Sequence, residues 1–179
     1  MANARRPLLK MLTERMRSHV AFTENQALAV ALWEVFTWAH DAFTHSPQLL
    51  VTSPEANSGK STLLGLVGLL ARKGLQLVNP SPAVMYRIIE AWHPTLICDE
   101  ADDQFKDNPD LRSVFNSGWT RGSGVPRCHP ETNAPEIFPT FAPKAIGMKG
   151  RRRRDARPRI PGFSTSAMTQ IKNTHPNSE

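Results

Sequence analysis

One arrangement constrains the fold of this chain more than any other. A short apolar run, Leu49-Leu50-Val51, is followed by small and polar residues, then by Ser58-Gly59-Lys60-Ser61-Thr62 and the apolar-periodic Leu63, Leu64, Val67 and Leu70. A run that short, punctuated by Ser-Pro, reads as a buried strand, and the periodic segment after it as a helix reaching toward Gly74. A second apolar run, Thr95-Leu96-Ile97-Cys98, leads directly into Asp99-Glu100. Leu75, Leu77 and Val78 form a further strand between the two. Strands alternating with helices predict a parallel sheet covered on both faces.

The remaining elements follow from caps and periodicity. Leu8, Leu9, Leu12 and Met16 space a short amphipathic helix over residues 8–20. Thr23 with Gln26 three residues later is a capping box, and it opens a helix over about 24–44. Its expected core face is Leu28, Ala31, Leu32, Val35, Phe36 and Ala39. Ser81-Pro82 and Asn108-Pro109 each pair an N-cap residue with a proline at the first helical position. They predict helices through Ile88, Ile89 and Trp92, and through Leu111, Val114 and Phe115. Residues 119–136, rich in Gly, Pro and Arg, predict loops or a hairpin, with a fourth strand around 137–147. No internal repeat is present.

Composition narrows the function classes. At 40% hydrophobic residues the 179-residue chain is too apolar to be wholly disordered, and its length suits one domain. No run approaches the ~18 apolar residues of a membrane span, and the first twenty residues lack the pattern of a secretory signal. Two cysteines, Cys98 and Cys128, make no disulfide framework and no zinc site. The expectation is a soluble, cytoplasmic protein without a membrane partner. The net charge of +6 is unevenly spread. Residues 1–150 carry fifteen Lys and Arg against fourteen Asp and Glu, whereas 151–179 carry seven against two. The excess lies in a tail beginning Arg151-Arg152-Arg153-Arg154, broken by Pro158, Pro161 and Pro176 and expected to have little order. The expected organisation is an N-terminal helical segment (1–45), an α/β parallel-sheet core (46–150) and a basic tail (151–179).

The chemistry sits at the two strand ends. Backbone N–H groups of a loop entering a helix bind phosphate oxygens, which gives Asn57, Ser58, Gly59, Lys60, Ser61 and Thr62 a phosphate-binding reading. Gly59 allows close approach, Lys60 supplies a point charge, and the Ser61 hydroxyl can ligate Mg²⁺. The full pattern asks for glycine at position 54, where this chain has Pro54. Asp99, at the carboxyl end of an apolar strand where ligands bind in open α/β sheets, would complete the Mg²⁺ shell. Glu100 would polarise a water as general base. Together these residues describe Mg²⁺-dependent ATP binding and hydrolysis. Each half alone has a plainer meaning: a helix start for the first, an acidic helix cap for the second.

Other residues carry less. His40 and His45 are five apart, the wrong spacing for one helical metal face. Trp33, Trp38 and Trp92 suit core or groove positions, and Arg87 and Arg112 solvated helix positions. The arginine run could bind a phosphate backbone without sequence preference.

Asp99-Glu100-Ala101-Asp102 spells the DEAD box, but its distance from Lys60 is short for two-lobed helicases, and the compact element order resembles the AAA+ ATPases instead. The stretches SPEANSGKSTLL, TLICDEAD, DLRSVFNSGWTRG, VPRC and FPTFAPKAIGMKG, spread in order over residues 20–149, resemble a P-loop ATPase family of unknown function, the domain of unknown function family 3631. That family occurs in bacterial, plasmid and phage proteins beside primase or helicase modules. The resemblance implies a helicase-like ATP-binding domain of DNA replication or mobile-element biology. Single-stranded DNA, primase or helicase modules and further copies of itself would be its partners. It matches Lys60, Ser61, Asp99 and Glu100 to the nucleotide motifs. It makes Arg121, Arg127 and Lys144 candidates for a sensor or finger, although a typical polar sensor (Asn, Ser or Thr) is not evident. It ends near Gly150, where the expectation is a truncation or frame shift. Two alternatives stand beside it: a catalytically inactive nucleotide-binding remnant, and a basic nucleic-acid-binding accessory protein.

Overall fold

The computed structural model describes residues 2–21, 23–53, 59–106, 108–128, 133–149 and 168–170. Two helices come first, α1 (Ala2–Arg17) and α2 (Glu24–Ala39), the second extended by a 3-10 turn, His40–Ala42. Then follow β1 (Leu49–Ser53), α3 (Lys60–Leu70), β2 (Gly74–Leu77), α4 (Pro82–Trp92) and β3 (Thr95–Cys98). The chain continues through α5 (Ala101–Lys106), α6 (Pro109–Ser117), β4 (Gly124–Cys128), β5 (Pro135–Pro139), β6 (Lys144–Lys149) and β7 (Met168–Gln170). The main sheet is parallel, in the order β2-β3-β6-β1-β7, and β4 and β5 form a separate antiparallel hairpin. Among the described residues no helix is long and apolar enough to cross a membrane.

Alternation along the strands builds a core on each face. Leu49, Val51, Ile97 and Ala145 face the side covered by Met16, Val30 and Trp33 of the N-terminal helices and Leu63, Leu64 and Val67 of α3. Leu50, Leu96, Cys98 and Ile146 face the side covered by Met85 and Ile89 of α4, Phe105 of α5, and Leu111 and Phe115 of α6. Strands buried on both faces read as unbroken apolar runs, which is why these were visible in sequence. The expected caps are present. Thr23 and Gln26 exchange capping-box hydrogen bonds, Ser81 Oγ accepts from Val84 N, and Asn108 Oδ1 accepts from Leu111 N.

Two expectations are corrected, and two further elements join the fold. Helix α2 is rotated: Leu28 and Leu32 are 40% and 50% exposed, while Ala27, Val30, Ala31 and Trp33 are buried. Trp33 decides this, because its bulk fills the core and its Nε1–H donates to Pro47 O at 2.8 Å. The single strand expected at 137–147 is two strands, since prolines at 139 and 143 cannot donate to a ladder. Helix α5, which no expectation covered, opens directly after Glu100. The tail contributes β7, which pairs in parallel with Leu50, Val51 and Thr52 and satisfies the otherwise open edge of β1. Arg151–Arg154 and the rest of the tail lie outside the described residues. Of the tryptophans, Trp33 is core, whereas Trp38 and Trp92 are mainly exposed. Arg87 and Arg112 are exposed as expected, and both cysteines are free.

Helix α2 also buries Glu34, and neither carboxylate oxygen finds a hydrogen-bond partner among the described residues. Burial pushes its pKa up to about 8 from 4.5, because desolvation disfavours the charged form. The folded state therefore holds a proton that the unfolded chain has released. This group lowers stability by about 1.4 kcal/mol per pH unit across that interval. Glu34→Gln keeps the shape of the protonated acid and removes the titration. We expect wild type and variant to melt alike at pH 4.5, and the variant to melt several degrees higher at pH 8. Equal melting temperatures at pH 8 would contradict a protonated Glu34.

Candidate functional site

Gly59 lies in the left-handed region, φ 82° and ψ 8°, and is the N-cap of α3, with no side-chain cap hydrogen bond among the described residues. Glycine pays little for that conformation. The first turn of α3 therefore starts with backbone N–H groups that have no intrahelical partner. Lys60 opens this turn half-buried, and Ser61 and Thr62 follow exposed. Asn57 and Ser58, the other two residues read as phosphate-binding, lie outside the described residues.

On the far side of β6 the chain leaves β3 at Asp99. The Ser61 hydroxyl donates to Asp99 Oδ2 at 2.6 Å, although β1 and β3 are not neighbours in the sheet. The contact crosses the carboxyl end of β6, and Gly147 leaves room for it. A Cβ at Gly147 would lie 2.6 Å from Asp99 Oδ1 and 2.6 Å from Leu64 Cδ1. Asp99 Oδ1 accepts the Glu100 N–H at 2.9 Å, and Gln104 Nε2 donates to Asp99 O at 3.0 Å. Beneath the turn, Cys98 Sγ lies 3.4 Å from Gln104 Oε1. Burial, and then the Asp99 charge, push the Cys98 thiol up to about 12, so it stays protonated and inert. Glu100 has φ 53°, a left-handed conformation costing a side-chain-bearing residue about 1–2 kcal/mol. Lys149, at the end of β6, donates its N–H to the Asp102 carboxylate and its Nζ to Asp103 Oδ2 at 2.7 Å. That hydrogen bond, with the attraction of opposite charges, holds the Asp103 acid below its ordinary range and the Lys149 ammonium above its own.

The sequence-predicted residues thus divide. Gly59, Lys60, Ser61, Thr62, Asp99 and Glu100 all lie at one pole, outside the carboxyl ends of β1 and β3, with Ser61 and Asp99 in contact. The three sensor or finger candidates are engaged elsewhere. Lys144 starts β6, in register with Leu96, three residues before Asp99. It is fully buried and donates to Thr140 O at 2.9 Å; burial lowers its pKa to about 7. A sensor would need the other end of that strand. Arg121 donates to Asp41 O at 2.9 Å and Phe43 O at 3.0 Å and lies over the Phe141 ring, tying the end of α2 to the β6 approach. Arg127 bonds its own hairpin at Pro126 O. His40 and His45 pack on Phe141 and Trp119, as expected of packing residues.

Sequence reasoning missed Gly147, Gln104 and Lys149. An isolated glycine inside a strand signals a close approach, and Gly147 could have been found that way; Gln104 and Lys149 gave no signal. Among the described residues no three His, Cys, Asp or Glu side chains are grouped to hold a metal. A cation here would rest on Ser61 and Asp99, with its other positions left to water and phosphate oxygens. Mg²⁺ is commonly held in that way, so the donor set fits it. No protein-family model matches the chain, and no curated protein matches it.

The packing around Asp99 is testable through two glycines. Gly147→Ala is expected to cost about 1–3 kcal/mol by overpacking. Gly65→Ala, where among the described residues nothing beyond the helix's own backbone lies within 4 Å of the added carbon, should gain about 0.5–1 kcal/mol from helix propensity. Urea unfolding of both variants measures this. A neutral Gly147→Ala would refute the close fit.

Proposed function

We propose that this chain is an AAA+-like P-loop domain that binds Mg-ATP at the start of α3 and hydrolyses it. The observation that carries the reading is the 2.6 Å contact between Ser61 and Asp99, which brings the two halves of the sequence motif to one point across a non-adjacent pair of strands. The parallel sheet, with the loop strand β1 and the acid strand β3 flanking β6, supports it further. The two helices packed beside these strands, α3 and α4, lie on opposite faces, the condition that opens a binding crevice at the carboxyl end of an α/β sheet.

In this reading the free N–H groups of the first turn of α3 and the Lys60 ammonium hold the phosphate oxygens, attracting negative charge through the positive end of the helix. Ser61 and Asp99 would hold Mg²⁺, which would supply positive charge beside the phosphates. Glu100 accepts the proton of the attacking water. The family resemblance extends the proposal to a role beside primase or helicase modules, with single-stranded DNA as the stimulating partner. The rival reading, a nucleotide-binding remnant without turnover, draws on Arg121 and Arg127 being bonded within their own neighbourhoods rather than presented to this site.

Two substitutions separate these readings. Lys60→Ala should weaken binding of a fluorescent ATP analogue roughly 10–100-fold, the worth of one charged contact. Glu100→Gln should retain binding and lower kcat roughly 10²–10⁴-fold. Undiminished affinity in Lys60→Ala would refute the assignment of the loop. Binding without turnover in the wild type, with or without single-stranded DNA, would favour the remnant.

A further inference from the structure

Lys149 plays no part in the mechanism above, yet both its backbone and its side chain are committed to the acid turn. Its N–H donates to Asp102 and its Nζ to Asp103, both in the first turn of α5. That helix has six residues, too few to be stable alone, and it begins at the residue after Glu100. Ala101 and Phe105 seat it in the core, while Lys149 fixes its first turn to the end of β6. What is fixed with it is Glu100, held in a left-handed conformation that the chain would otherwise leave. Gln104, from the same helix, closes the turn on Asp99 O.

Resting on the ATPase reading, we propose that Lys149 is a positioning residue: paired with Asp103, it clamps α5 to the sheet and so keeps Glu100 in the geometry that activates water. It acts through α5 and does not touch the nucleotide. The pair is well exposed, with side chains 63% and 66% accessible, and such pairs add little to global stability. A change in turnover on its removal is therefore separable from unfolding.

The test uses the full chain with Lys149→Met, Asp103→Asn and Lys149→Arg, read by hydrogen exchange and by steady-state kinetics. Lys149→Met and Asp103→Asn should each speed exchange of the amides of residues 101–106 roughly two- to fivefold, leaving α3 unchanged. They should lower kcat by a similar factor with KM for ATP unaltered. Lys149→Arg, which keeps the charge, should restore both. Unchanged exchange in α5 overturns the clamp. A raised KM with kcat preserved also overturns it, since that would mark Lys149 as a nucleotide contact. If the wild type neither binds nor hydrolyses ATP, the ATPase reading fails, and the clamping of α5 is then decided by exchange alone.

Discussion

The hydrogen bond from Ser61 to Asp99 depends on three separate features of the chain, and the pole of the sheet is organised around it. Helix α3 must begin as soon as the loop ends, which the left-handed Gly59 accomplishes. Strand β3 must stop at Cys98 so that Asp99 projects past the sheet. The strand between must present no side chain at the crossing, and Gly147 meets that condition. Loss of any one separates the two oxygens. A contact that joins residues 38 positions apart across an intervening strand has meaning only if the whole order β3-β6-β1 is in place. It therefore ties local motif chemistry to global topology.

The legibility of the fold follows the same division between local and global. Elements that carry their own boundary signals were readable: α4 begins after Ser81 and α6 after Asn108 because those side chains cap the first turns. Strand β3 spans Thr95–Cys98 because both of its faces are buried. What failed depended on partners far along the chain. Periodicity placed an apolar stripe on α2 but could not say that Trp33, through Pro47 O, would turn that stripe outward. Lys144 looked like a site residue by its strand, and only register shows that it enters that strand at the wrong end. Helix α5 is too short for periodicity to detect.

At the other pole the protein tolerates polar groups that cost stability. Lys144 is buried beside Thr140, with Gly118 close over its ammonium. His40, stacked on Phe141, has its pKa lowered to about 4 by burial, against the raising pull of Asp41. Arg121 binds carbonyls at the end of α2. These contacts join α2, the hairpin exit and the start of β6, so they hold the N-terminal helices to the sheet by directional bonds. The apolar cores alone would permit sliding. Buried polar groups fix one arrangement when they are bonded, as Lys144 is to Thr140 O, and Arg121 adds its bonds from the surface.

The crowding of four acids, Asp99, Glu100, Asp102 and Asp103, within five residues would be self-defeating if all faced the same ligand. An anionic nucleotide would be repelled, and each carboxylate would raise the pKa of the others. The structure divides them. Asp102 and Asp103 are taken by the N–H and ammonium of Lys149, and Asp99 by Ser61 and the Glu100 N–H. Of the four, Glu100 alone keeps a carboxylate without a bonded partner among the described residues. The acidic run that looks like a uniform cluster in sequence is thus two pairs with different tasks. One pair bonds to the end of β6, and the other would, in the ATPase reading proposed above, set a metal ligand beside a base.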